Sequence, residues 1–204
     1  MTTKSETTRR PTREPARDAR ERILDTAYEL FSRRGIRGVG IDEVIEHAGV
    51  AKATLYRHFR SKDDLVLAFL DRREQLWTRQ WVEAEAMRRG TSPEKRLLAI
   101  FDLFDEWFQR DDFEGCSFIN TLLETGDRDH RVYQASTAHL QNIRSVVQEF
   151  ADEAGLRNPE SFAHSWHILM KGSIVAAAEG DRDAAKRAKV IGQLLIDQHR
   201  QPPR

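Results

Sequence analysis

Cysteine is nearly absent from the sequence, which has Cys116 and no other among its 204 residues. One thiol cannot form an internal disulfide, and it excludes any motif built on paired cysteines. Long apolar runs are also missing, so no segment reaches the roughly 18 residues that a membrane helix needs. No N-terminal apolar segment resembles a secretory signal. We therefore expect a cytoplasmic protein without a membrane partner.

An excess of charge of either sign is absent as well, because 33 Lys and Arg balance 33 Asp and Glu. This balance alone argues against a nucleic-acid-binding protein. The charges are unevenly distributed, however: residues 1–62 contain 14 basic and 9 acidic side chains, which leaves the rest of the chain acidic. A basic end joined to an acidic body indicates two tasks in one chain.

Signatures of catalysis are missing too. The sequence has no G-x-S-x-G, no H-E-x-x-H and no P-loop, so no catalytic constellation supports an enzyme, and we expect no catalytic residues and no cofactor. A helical enzyme and a protein-binding helical module remain as alternatives outside the DNA-binding class.

The N-terminal residues 1–17 lack periodic apolar positions and predict a disordered basic arm. Arginines at positions 9, 10, 13 and 17 could contact DNA phosphates there, and a solvated tail is the alternative. From Asp18 onward, apolar residues recur at helical spacing until Gly35, which predicts an amphipathic first helix.

Two short helices joined at Gly49 are predicted over residues 41–62. At 100° per residue, Leu55 and Phe59 share one face of the second helix, which must pack on the preceding helices because so short a helix is unstable alone. The opposite face is then held outward, as in a helix that reads the major groove of DNA. Its DNA-compatible side chains, together with one at the start of the next helix, are Lys52, Ala53, Thr54, Tyr56, Arg57, His58 and Lys62.

The residues A-G-V-A-K-A-T-L-Y-R-H-F-R-S-K-D-D-L, from Ala48 to Leu65, closely resemble the signature of the TetR/AcrR family of bacterial transcriptional regulators. The resemblance covers roughly residues 20–70. It implies that Thr54, Tyr56 and His58 contact DNA and that Lys62 contacts a phosphate. Gly40 departs from the family pattern, which usually has Ser or Thr as the helix cap, and we expect the fold to be kept there without that residue's phosphate contact.

The resemblance also implies an all-α fold of about nine helices. Its parts would be a three-helix helix-turn-helix head over residues 18–65 and a C-terminal effector-binding and dimerisation domain over residues 66–200. The last two helices, about 159–179 and 181–199, would form the homodimer interface. By pattern alone they are two amphipathic helices.

A pocket for an unknown small-molecule effector is expected among the body helices, as is usual in this family. An aromatic stripe at helical spacing is more often ordinary core, so each lining residue is an expectation. The candidates are Phe104, Trp107, Phe108, Cys116, Phe118, Asn120, Trp166, His167 and Met170.

Two sharper sensing hypotheses stay open beside this pocket. Cys116 lies at a predicted helix N-terminus, where the helix dipole would lower the thiol pKa and permit a thiol-responsive repressor; a buried, inert thiol is the alternative. His164 and His167 could join His130 in a metal-responsive site, with Asp127, Asp129 or Glu124 as further ligands. The residues give no complete ligand set, and no metal is expected.

The sequence therefore predicts a sequence-specific DNA-binding regulator. We expect a dimeric repressor that a small-molecule effector releases from a palindromic operator of double-stranded DNA.

Overall fold

Helices make up all the regular secondary structure of residues 18–200, the part of the chain that the computed structural model describes. The predicted basic arm of residues 1–17 lies outside the described residues. Residues 18–200 form nine helices when the uninterrupted helical run from Lys62 to Arg89 is counted as one. Their bounds are α1 Ala19–Arg34, α2 Ile41–Ala48, α3 Lys52–His58, α4 Lys62–Arg89, α5 Pro93–Phe108, α6 Ser117–Thr125, α7 Arg131–Glu153, α8 Pro159–Ala178 and α9 Ala184–His199.

Side-chain caps fix several of the helix starts. The Asp18 carboxylate accepts a hydrogen bond from the Arg20 amide, and Ser61 Oγ accepts one from the Asp64 amide at 3.1 Å. At α5, Ser92 caps the helix and Pro93 occupies its first position, where a missing N–H costs nothing. These caps set the starts of α4 at Lys62 and of α5 at Pro93.

The two C-terminal helices begin without a side-chain capping bond. Asn158 has a left-handed backbone, with φ of 51°, and its side chain makes no capping bond to α8. Asp181 accepts a hydrogen bond from the Asp183 amide at 3.0 Å, closing a turn ahead of the helix, so α9 starts at Ala184. Both helices nevertheless occupy the predicted segments.

The long helix α4 connects the two parts of the chain and changes its winding on the way. It is α-helical over Lys62–Arg73, π-helical over Glu74–Glu83 and α-helical again over Ala84–Arg89. The wider i→i+5 turn rotates the following side chains relative to an α-helix. Leu76, which an α-helical stripe places on the buried side, is therefore 44% exposed.

One continuous apolar core runs through the head and the body. In the head, α1 packs against α2, α3 and α4, and in the body α5 to α9 pack together around Phe101, Phe104 and Trp166. Residues 18–200 contain no helix long and apolar enough to cross a membrane.

Candidate nucleic-acid interface

The short helix α3 is anchored through one face and open on the other. Leu55 is fully buried and Phe59 is 3% exposed, and the Arg20 guanidinium lies over the Phe59 ring, 5.3 Å from its centroid. The helix has seven residues and no side-chain cap at Ala51, so it depends on this packing for its stability. Tyr56, on the open side, is 40% exposed.

All the residues predicted to contact DNA lie on α3 or at the first position of α4. Lys52, Ala53, Tyr56 and Arg57 are exposed, and Lys52 Nζ lies 3.2 Å from Asp42 of α2. The remaining ones are half-buried: Thr54, His58 and Lys62. His58 Nε2 is buried and has no hydrogen-bond partner among the described residues, so this ring nitrogen is not open to DNA in this conformation.

Gly40 is the N-cap of α2, as expected, and it provides no side-chain capping bond. Its backbone is extended, with φ of −81°, a conformation open to any residue. A Cβ at this position would meet no atom within 4 Å. Glycine is therefore not required by the fold there, and α2 starts without a capping hydroxyl.

Contacts between the head and the body fix where α3 points. The Arg37 amide, between α1 and α2, donates to Glu124 Oε2 of α6 at 2.6 Å. Arg131 of α7 lies 2.7 Å from Asp64 and donates to Ser61 Oγ at 2.9 Å, at the start of α4. These partners are 67 to 87 residues apart in sequence, and no local pattern could have indicated them.

The predicted effector residues are mostly tightly packed rather than grouped around an opening. Phe104 and Phe108 are buried against each other, Phe118 stacks on His139, and Trp166 packs on Phe162. Met170 is buried, whereas Asn120 is exposed and donates to the Glu114 carbonyl at 3.4 Å. Trp107 alone among these candidates lines a cavity of about 360 Å³ between α1 and the body.

The two sensing hypotheses gain no support from the geometry. Cys116 caps α6 but is buried, and that burial raises the pKa of its thiol, which disfavours a reactive thiolate. Burial, aided by Lys171 and Arg144, lowers the pKa of His167 to about 3, so this imidazole stays neutral. His130 lies 3.3 Å from Asp63. Within residues 18–200, no three potential ligands come together to hold a metal.

An all-helical fold that presents a short helix-turn-helix beside a larger helical body defines a class, the helix-turn-helix transcription regulators. The family described as "Bacterial regulatory proteins, tetR family" matches residues 23–69, and "Tetracyclin repressor-like, C-terminal domain" matches residues 93–191. The chain belongs to the TetR family and is a DNA-binding transcriptional regulator, not an enzyme.

Three relatives illustrate the range of similarity. SCO4454, a TetR-family regulator from Streptomyces coelicolor, superposes with a TM-score of 0.82 at 30% identity, covering 90% of this chain and 96% of that one. The transcriptional activator FasR of Mycolicibacterium smegmatis is 36% identical over 103 residues, 50% of this chain and 46% of FasR. The transcriptional repressor NemR of Escherichia coli K12 is 27% identical over 141 residues, 69% and 70% of the two chains.

Proposed function

We propose that the chain is a homodimeric repressor that binds a palindromic operator through α3 and leaves it when a small molecule binds. The observation that carries this proposal is the open face of α3, held outward by the buried Leu55 and Phe59. A protein whose partner is operator DNA acts in the cytoplasm. A helical enzyme or a protein-binding module would leave this polar, partly basic face without a use.

Exposed apolar side chains on the last two helices support the dimer. In the single chain, Ile168 and Val175 of α8 are 72% and 50% exposed, and Val190, Ile191 and Leu194 of α9 are 52–65% exposed. Neighbouring apolar residues of this size are normally covered. A second copy of α8 and α9 would cover them and would set two copies of α3 in a two-fold arrangement, which suits a palindrome.

Repression rather than activation is the direction we propose. NemR, named a repressor, aligns over 69% of this chain, whereas FasR, named an activator, aligns over 50%. An effector that favours a body conformation with wrongly spaced heads would lower operator affinity. Half-sites lie about 34 Å apart, and a coupling of about 1–3 kcal/mol weakens binding roughly 5- to 150-fold.

The salt dependence of operator binding tests the role proposed for Lys62. If its ammonium group neutralises one phosphate in each DNA-bound chain, Lys62→Ala should reduce the slope of log K against log salt by about 0.9 per chain. Fluorescence anisotropy titrations of labelled operator DNA between low and moderate salt would measure the slope.

Lys95→Ala serves as the control, since Lys95 is an exposed lysine of the body whose side chain bonds only Thr91 among the described residues. The control should leave the slope at the wild-type value. An unchanged slope for Lys62→Ala would remove Lys62 from the DNA interface.

A further inference from the structure

The cavity of about 360 Å³ lies where the head meets the body, and its walls come from both. Helix α1 of the head contributes Tyr28, Ser32 and Arg33, and α4 contributes Arg73 and Trp77. The body contributes Trp107 and the segment that follows α5. Its volume falls within the range of about 300–1,000 Å³ typical of small-molecule sites.

Three of the four tryptophans of the chain form one wall of this cavity. The ring centroids of Trp77 lie 5.6 Å from Trp81 and 5.4 Å from Trp107, and those of Trp81 and Trp107 are 6.0 Å apart. The rings are tilted or edge-to-face, so they pack on one another and do not enclose a space between them. Trp77 and Trp107 are 8% and 7% exposed and Trp81 is half-buried, so the wall offers a limited apolar surface against which one planar aromatic ring can pack.

Two residues of the cavity wall, Trp77 and Ser32, also carry buried polar atoms without hydrogen-bond partners among residues 18–200. Trp77 is 8% exposed, and its indole Nε1 is buried without a hydrogen-bond partner in the described part of the chain. The buried hydroxyl of Ser32 also lacks a hydrogen-bond partner within residues 18–200. An indole N–H can only donate, and a buried donor without an acceptor costs free energy. Both atoms lie beneath the surface of the cavity, so an acceptor group bound there reaches them only if the wall side chains move.

Arg73 differs from the other two guanidinium groups of the cavity. Arg33 lies 3.5 Å from Glu114, and Arg110 forms a two-bond pair with Asp112. Arg73 donates to the Tyr28 hydroxyl at 3.0 Å and lies over the Tyr28 and Trp77 rings. It forms no ion pair with a carboxylate of residues 18–200.

Three carboxyl groups also line the cavity and oppose an anion there. Asp112 and Glu114 already have the arginine partners described above, and Glu29 is exposed. Burial raises the pKa of the Glu114 carboxyl, while Arg33 and Arg73 act in the opposite sense. The one cavity guanidinium without a carboxylate partner in residues 18–200 is therefore Arg73, which keeps N–H groups beyond the one that bonds the Tyr28 hydroxyl.

We propose that this cavity is the effector site and that it binds small aromatic carboxylates, with the ring on the tryptophan wall and the carboxylate at Arg73. The inference rests on the proposed function and adds the place and the chemical class of the effector. A molecule bound there contacts α1 of the head and Trp107 of the body at once. It thereby changes the relative stability of head–body arrangements, which is the differential affinity that a ligand-operated switch needs.

The test uses the full chain and three probe pairs of increasing size: benzoate, 2-naphthoate and biphenyl-4-carboxylate, each with its primary amide. Isothermal titration calorimetry measures binding to the wild type, to Arg73→Gln and to Arg88→Gln. The last variant is the control, because Arg88 lies at the far end of α4, pairs with Glu85 and does not line the cavity. We expect at least one carboxylate to bind saturably and at least about tenfold more tightly than its amide.

Arg73→Gln should abolish the preference for the carboxylate, while Arg88→Gln should keep it. Circular dichroism spectra and thermal unfolding of both variants check that they fold. If Arg73→Gln fails to fold, the wild type alone tests the proposal. It should then bind the carboxylates more tightly than their amides, and 2-naphthoate more tightly than an added cationic probe, 2-naphthylmethylammonium. The proposal is overturned if no carboxylate binds below millimolar concentration, or if amide or ammonium probes bind equally well.

Operator titrations with and without the bound probe then separate this inference from the proposed function. A shift in operator affinity of about fivefold or more supports the effector site. Unaltered operator binding in the presence of saturating probe would overturn its role as effector while leaving the DNA-binding function intact. Absence of operator binding in the probe-free chain would count against the proposed function itself.

Discussion

Replacement of Leu55 by Ala is expected to destabilise the protein by about 2–5 kcal/mol, whereas Tyr56→Ala should leave the free energy of unfolding within about 0.5 kcal/mol of the wild type. Leu55 is fully buried and anchors α3, so its truncation leaves a cavity beneath that helix. Tyr56 is 40% exposed on the opposite face and contributes little packing to the head. Urea unfolding monitored by circular dichroism would measure both free energies.

Tyr56→Ala should affect DNA binding rather than stability. Tyr56→Ala is expected to weaken operator binding by about 1–3 kcal/mol for each base that the tyrosine reads, while the head stays folded. Tyr56→Phe is the matched control for the hydroxyl, since it keeps the ring and removes only the polar atom. If Tyr56→Ala proved as unstable as Leu55→Ala, the assignment of the two faces of α3 would be wrong.

The second large effect is expected at the proposed dimer interface. The double variant Ile191→Glu with Leu194→Glu places carboxylates on the exposed apolar face of α9, where burial in a dimer would strip them of water. The chain should then be a monomer in sedimentation equilibrium. A monomer reads one half-site, so operator affinity should fall about 10²- to 10⁴-fold.

Met87→Glu is the control for this pair of substitutions. Met87 is 50% exposed and apolar, but it lies near the end of α4 rather than on α8 or α9. It should leave both the association state and the operator affinity unchanged. A double variant that remains dimeric would place the interface elsewhere on the molecule.

The head was predictable from the sequence because its structure is specified by short-range patterns. The spacing of Leu55 and Phe59 gives the buried face of α3, Gly49 gives the turn before it, and Ser61 gives the start of α4. Each of these signals lies within about one helical turn of the feature it determines. The left-handed backbone of Gly49, with φ of 61°, also agrees with the predicted break between the two short helices.

The effector candidates were harder to predict, because an aromatic stripe does not reveal whether it faces other side chains or an opening. Phe104 and Phe108 pack on their neighbours, and only Trp107 of that stripe reaches the cavity. The opposite wall comes from Tyr28 of the head, 79 residues earlier in the sequence than Trp107. The spacing of Trp77 and Trp81, four residues apart, is the one local signal that they share a face.

The π-helical stretch of α4 was also beyond local prediction. Glu74, Trp77 and Thr78 face inward there, and Glu74 lies 3.4 Å from His139 of α7. His139 lowers the pKa of the Glu74 carboxyl against the opposing effect of its burial. A residue pattern read at 100° per residue assumes regular α-helical winding. It therefore places Leu76 on the buried side of α4, whereas this side chain is 44% exposed.

Selection from random double-stranded DNA by the purified chain tests the proposed dimeric mode of DNA reading. In this mode, two copies of α3, related by a two-fold axis, read a palindrome. It predicts an enriched inverted repeat whose half-site centres lie about one helical turn or a multiple of it apart, and loss of that enrichment for Tyr56→Ala. Enrichment of no sequence, or of a motif without two-fold symmetry that Tyr56→Ala still selects, would contradict it.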